Sequence, residues 1–71
     1  MNERLNKLAQ RVINHLRAQP PGHEMPTPEI TELLYLPDGH LVSKVLDRPH
    51  KEGIVKARAD RHHLVWSLAS A

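Results

Sequence analysis

Six prolines punctuate the 71-residue chain, and their positions limit which segments can be regular structure. A proline ring removes a backbone donor and clashes with the preceding turn, so it is tolerated at a helix start and disruptive inside one. The run Gln19-Pro20-Pro21-Gly22-His23 ends any helix begun at the N-terminus, with Gly22 suited to a left-handed turn. Pro28 and Pro37 bracket a segment of about two turns. Pro49 alone falls inside an otherwise helical pattern, where a leucine is the expected residue.

The apolar residues between these breaks define the elements. Leu5, Leu8, Ala9, Val12, Ile13 and Leu16 recur at i, i+3, i+4 and i+7, which predicts a helix over about 2–18 with Asn2 available to cap it. Thr27 followed by Pro28 reads as a cap and a first helical residue, with Glu29 and Glu32 at the positive end of the dipole. The second helix, about 28–35, buries Ile30, Leu33 and Leu34. Tyr35 either lies at the core edge or reaches outward to a phosphate. Leu36-Pro37-Asp38-Gly39 is a tight turn in which Asp38 is a good cap for a helix beginning at Gly39.

The third helix, about 39–52, carries Leu41, Val42, Val45, Leu46 and position 49 on its apolar stripe, and Gly53 closes it. Pro49 forfeits the bond to the Val45 carbonyl at about 3 kcal/mol. The helix is therefore expected to end near Asp47-Arg48 or to bend there, sparing the turns from His40 to Arg48. After Gly53 the period changes to two. A hairpin over about 54–68 is expected, pairing Ala59 with His62, Ala57 with Leu64 and Val55 with Trp66 through a two-residue turn at Asp60-Arg61 or a loop over 59–62. Either turn puts Lys56, Arg58, His63, Val65 and Ser67 on the opposite face. A third short strand fits near His23–Pro26.

A chain this short buries roughly 60% of the surface its unfolded form exposes, so it forms one domain of slender stability. With no cysteine, neither disulfides nor thiolate zinc reinforce it. No apolar run approaches the roughly 18 residues of a membrane span, and the segment from Met1 lacks a signal-peptide apolar block, which predicts a cytoplasmic protein starting at Met1. Net charge is only +2, but the ends are basic and the 19–37 segment carries three acids and no base. That sidedness suits a polyanionic partner.

The order helix, short helix, tight turn, helix, hairpin resembles the winged helix-turn-helix superfamily over nearly the whole chain. The residues that carry it are "TPEITELLYLPDGHLVSKVLDRPHKEGIVKA" with "HLVWSL" as a returning wing strand. Within it, "VSKVLDRPHKEGIV" is similar to the family's run of Val-Ser-Arg-like residues, a leucine, then Glu-Gly and two apolar residues. The resemblance implies an α+β fold of three helices and a C-terminal antiparallel hairpin wing. It also implies double-stranded DNA binding by a small transcriptional regulator, with the third helix in the major groove and the wing on the backbone or minor groove. Trp66 sits where relatives that bind left-handed nucleic acid place a tryptophan. The other places that mark those relatives hold Ser43, Asp47 and His62-His63, so that activity is not expected.

The third helix carries His40, Ser43, Lys44, Asp47, Arg48 and Lys51 off its apolar stripe. Arg48 and Lys44 suit guanine O6 and N7, and Ser43 is permissive. Asp47 either accepts from cytosine N4 or orients Arg48 or Lys44. Thr27 and the Gly39-His40 start suit phosphate oxygens, and the wing offers Lys56, Arg58, Arg61, His62 and His63. An exposed helix of mixed charge is also what a merely solvated face looks like, and Arg4, Lys7, Arg11 and Arg17 on the first helix read that way. His62 and His63 point to opposite faces of a strand, so no metal site is expected. No nucleophile–base pair or glycine-rich phosphate loop indicates an enzyme, and no cofactor is expected. One module covers roughly 600–1,000 Å² on DNA, which favours a homodimer with the first helix or "SLASA" at its interface. The competing reading is a winged-helix protein–protein adaptor or a subunit of a nucleic-acid-processing complex, such as plasmid or phage replication.

Overall fold

A computed structural model describes residues 3–69, so Met1, the Asn2 cap and the end of the "SLASA" segment lie outside the described residues. The elements in chain order are α1 (Glu3–Arg17), β1 (Met25–Pro26), α2 (Thr27–Leu34), α3 (His40–Lys51), β2 (Val55–Ala59) and β3 (Leu64–Leu68). The fold is α+β: three helices against one antiparallel sheet ordered β1-β3-β2. No helix among the described residues is long and apolar enough to cross a membrane.

The core forms where the three helical stripes meet the sheet. Ala9, Val12, Ile13 and Leu16 from α1, Ile30 and Leu34 from α2, and Val42, Val45 and Leu46 from α3 close around Met25, Val55 and Trp66. Each helix contributes at i, i+3, i+4 spacing, so amphipathicity alone explains which side faces inward. Trp66 is thus a core residue, in edge-to-face contact with the ring of His50 at 5.9 Å between centroids.

The hairpin register differs from the expected one. Val55 pairs with Leu68, Ala57 with Trp66 and Ala59 with Leu64, two residues further along β3 than the sequence suggests. The link is a four-residue loop over 60–63, closed by the Asp60 amide donating to the His63 carbonyl at 2.8 Å. The physical reason is backbone conformation. A two-residue hairpin turn of the favoured kind needs positive φ at its central positions, and the only non-glycine among the described residues with positive φ is Tyr35. Because the slip is two residues, every side chain keeps its face.

Of the two expectations for 48–49, an end or a bend, the end is not met: α3 runs from His40 to Lys51 with Pro49 inside it and buried. Pro49 lies in the last turn, where its carbonyl has a particular use. Gly53 takes φ +77°, the Gly53 amide donates to the His50 carbonyl at 3.2 Å, and the Ile54 amide donates to the Pro49 carbonyl at 2.9 Å. This is a Schellman closure, with Pro49 supplying the acceptor for the residue after the glycine. Two ion pairs straddle the same turn: Asp47 with Lys51 and Arg48 with Glu52, each at 3.2 Å. Exposed i,i+4 pairs contribute about 0.3–0.5 kcal/mol each, so they offset only part of the missing backbone bond.

The start of α2 also differs from expectation. The helix begins at Thr27 itself, with Pro26 as the capping residue and no side-chain cap bond. The Thr27 hydroxyl is instead engaged with β3.

Candidate nucleic-acid interface

Thr27 is the joint between the start of α3 and the start of β3, next to the hairpin loop. Its hydroxyl donates to the Leu64 carbonyl at 2.7 Å and accepts from Trp66 Nε1 at 3.2 Å. Its methyl faces Gly39 so closely that a Cβ there would lie 3.0 Å from Thr27 Cγ2. Gly39 is the capping residue of α3, and the Asp38 carboxylate before it accepts from the His40 amide at 2.7 Å. The first turn of α3 and the returning strand of the hairpin therefore meet on one residue. The hydroxyl proton goes to Leu64, so Thr27 holds this junction together and has no hydroxyl proton to give a phosphate.

On α3, His40, Ser43, Lys44, Asp47, Arg48 and Lys51 are all exposed, opposite the buried stripe of Val42, Val45, Leu46 and Pro49. The face is not uniformly positive. Lys51 lies against Asp47 and Arg48 against Glu52, which leaves Lys44 as a cation of α3 with no ion pair among the described residues.

On the hairpin, Lys56, Arg58, Arg61 and His62 are exposed and His63 is half-buried. His63 Nε2 stands 3.9 Å from an Asp60 oxygen across the loop. Arg58 is committed to Glu24: Nε donates to Oε2 and Nη2 to Oε1, both at 2.7 Å. Glu24 immediately precedes β1 and Arg58 lies on β2, so this fork spans the central strand β3 on the face away from the helices. Val65 and Ser67 lie under it, which explains why both are buried although their side chains point away from the core. The guanidinium beside Glu24 holds its carboxyl below the usual carboxylate range, chiefly through these hydrogen bonds, and the carboxylate in turn raises Arg58.

No sequence pattern marks this pair, because its partners are brought together only by the sheet. The geometry of Tyr35 is equally hidden. It closes α2 in the left-handed region at φ 56°, with its own amide donating to the Glu32 carbonyl and that of Leu36 to the Thr31 carbonyl, and it is 86% exposed. That excludes the core-edge role. Arg11, which the charge pattern places on a solvated face, reaches the Leu33 carbonyl at 3.4 Å.

Among the described residues no group of three or more His, Cys, Asp or Glu side chains is arranged to hold a metal ion. The surface offers one mixed-charge helix face and one basic hairpin, joined at Thr27. In comparisons with known proteins, the chain matches no family model, no curated protein and no solved structure.

Proposed function

We propose that the chain is a winged helix-turn-helix module that binds double-stranded DNA sequence-specifically as a small transcriptional regulator. In this reading α3 enters the major groove, with Lys44, Arg48, Ser43 and His40 toward base edges, and Lys56, Arg58, Arg61 and His62 on the hairpin follow the backbone or minor groove. The observation that carries it is the Thr27 junction, which holds the start of α3 and the start of β3, beside the hairpin loop, side by side. Two cation-bearing elements fixed to one joint can meet a duplex together. The element order and the β1-β3-β2 sheet support the same reading.

The ion pairs on this surface are compatible with duplex binding. Exposed pairs are worth about 0–1 kcal/mol, and a phosphate competes well for Arg48, Lys51 or Arg58. The pairs do lower the number of cations free at the outset, and this favours the second reading, a protein–protein adaptor whose partner matches a mixed-charge face. Selection from randomised duplexes, followed by affinity measurement across a salt series, separates the two. DNA binding yields an enriched motif and an affinity that falls by orders of magnitude from low to moderate salt. No enriched motif and salt-insensitive behaviour favour the adaptor. A palindromic motif with half-sites about one helical turn apart identifies the homodimer.

A further inference from the structure

A groove of about 520 Å³ with no α3 residue in its lining lies between the α1–β1 connection and the end of the sheet where β2 begins and β3 ends. Its size falls in the range of small-molecule sites. Its floor and one wall are apolar, from Leu16, Leu68, Pro20 and Pro21. Its rim is built rigidly: the His23 amide donates to the Pro20 carbonyl at 3.1 Å, and Gly22 takes φ +84° to complete the turn. Two adjacent prolines and a closed turn leave little freedom to be lost on binding.

The charge balance of the groove selects the ligand. Glu24 lines it, but both carboxylate oxygens are occupied by Arg58. The carbonyls of Asn14, His15 and Leu16 at the end of α1 accept from the Ala18 and Gln19 amides. Arg17 and Lys56 also line the groove, and neither has an ion-pair partner among the described residues. Ser67 is 4% exposed and belongs to the same wall. The one carboxylate of the lining is thus held by Arg58 while two cations are without an ion pair, above an apolar floor.

We propose that this groove binds a small amphipathic organic acid, its carboxylate meeting Arg17 and Lys56 and its apolar body lying on Leu16, Leu68 and the proline rings. A phosphodiester gains nothing from such a floor, and a cation meets Arg17 and Lys56 beside a carboxylate already held by Arg58. The groove shares Lys56 with the proposed duplex surface, so it is tested without DNA, where its failure is distinct from a failure of duplex binding.

The test is an amide chemical-shift titration of the whole chain with benzoate, repeated with benzyl alcohol, with inorganic phosphate, and on the exposed-site double variant Arg17→Gln/Lys56→Gln. The expected result is saturable shifts confined to residues 16–24, 56 and 67–68. Benzyl alcohol and phosphate each bind about tenfold more weakly or worse, as loss of a charge-assisted contact or of the apolar contact implies. The double variant loses benzoate affinity by a similar factor while its unperturbed spectrum stays that of the folded protein. Equal binding of benzoate and benzyl alcohol, undiminished binding by the double variant, or shifts that never saturate would each overturn the proposal.

Discussion

Arg58 and Glu24, 34 positions apart, lock the two edges of the sheet together by a two-bond fork at 2.7 Å that passes over the central strand. The fork gives the sheet a pH-dependent fastening. Because Arg58 lowers the Glu24 pKa from 4.5 in the folded state, the stabilisation is present in full above that value and is lost as pH falls through the folded one. Wild type is expected to exceed Glu24→Gln in urea midpoint at neutral pH. The gap should narrow below pH 4.5 and close once Glu24 is protonated. A gap that does not change with pH contradicts the role of the charge.

The Thr27 junction makes Gly39 a spatial requirement, since its own φ of −68° is one any residue adopts. Gly39→Ala drives a methyl onto Thr27 Cγ2, and Thr27 cannot retreat without losing Leu64 and Trp66. A loss of about 1–3 kcal/mol is expected by denaturant unfolding. Thr27→Ser deletes the methyl and keeps the hydroxyl, so in the Gly39→Ala background it should restore part of that loss. Additive effects of the two substitutions would place the clash elsewhere.

Tyr35 holds a left-handed position that suits glycine, and its ring is almost wholly in solvent. Tyr35→Gly is expected to raise stability by about 1 kcal/mol, whereas Gly53→Ala, at φ +77°, should lower it by a similar amount. Urea unfolding of both variants checks the pair. A destabilised Tyr35→Gly would show that the ring makes a contact worth more than the strain.

Local signals in the sequence reached the elements and their faces, and tertiary ones remained hidden. The stripes of α1 and α3 were readable because each apolar residue repeats at helical spacing, and Gly53 because a glycine after a periodic run has a recognised conformational use. Parity of the hairpin was readable because it depends only on alternation. Its register was not, since Asp60-Arg61 carries no glycine to specify a tight turn and the actual loop falls at 60–63. Pro49 suggested a break because the sequence displays the lost donor and not the carbonyl that Ile54 uses. Thr27 looked like a cap because its partners, Leu64 and Trp66, lie 37 and 39 residues away. The candidate surface was identifiable as residue types on one helix face, while the acids that hold Arg48, Lys51 and Arg58 became apparent only in the fold.

Those acids make a prediction for duplex affinity. Lys44 and Arg61 have no ion pair among the described residues, so Lys44→Gln and Arg61→Gln should each reduce the slope of log K against log salt by about 0.9. Glu24→Gln releases Arg58 and is expected to tighten nonspecific duplex binding and steepen the slope. An unchanged slope in all three variants would remove these side chains from the phosphate contacts.

The account turns on α3 and the hairpin serving as one duplex-binding surface. Its most direct test is an amide chemical-shift titration with a short nonspecific duplex at low salt. The account predicts perturbations concentrated at residues 40–51 and 56–63, all fading together as salt is raised. Perturbations centred on the Arg4, Lys7 and Arg11 side of α1, or none at any salt, would contradict it.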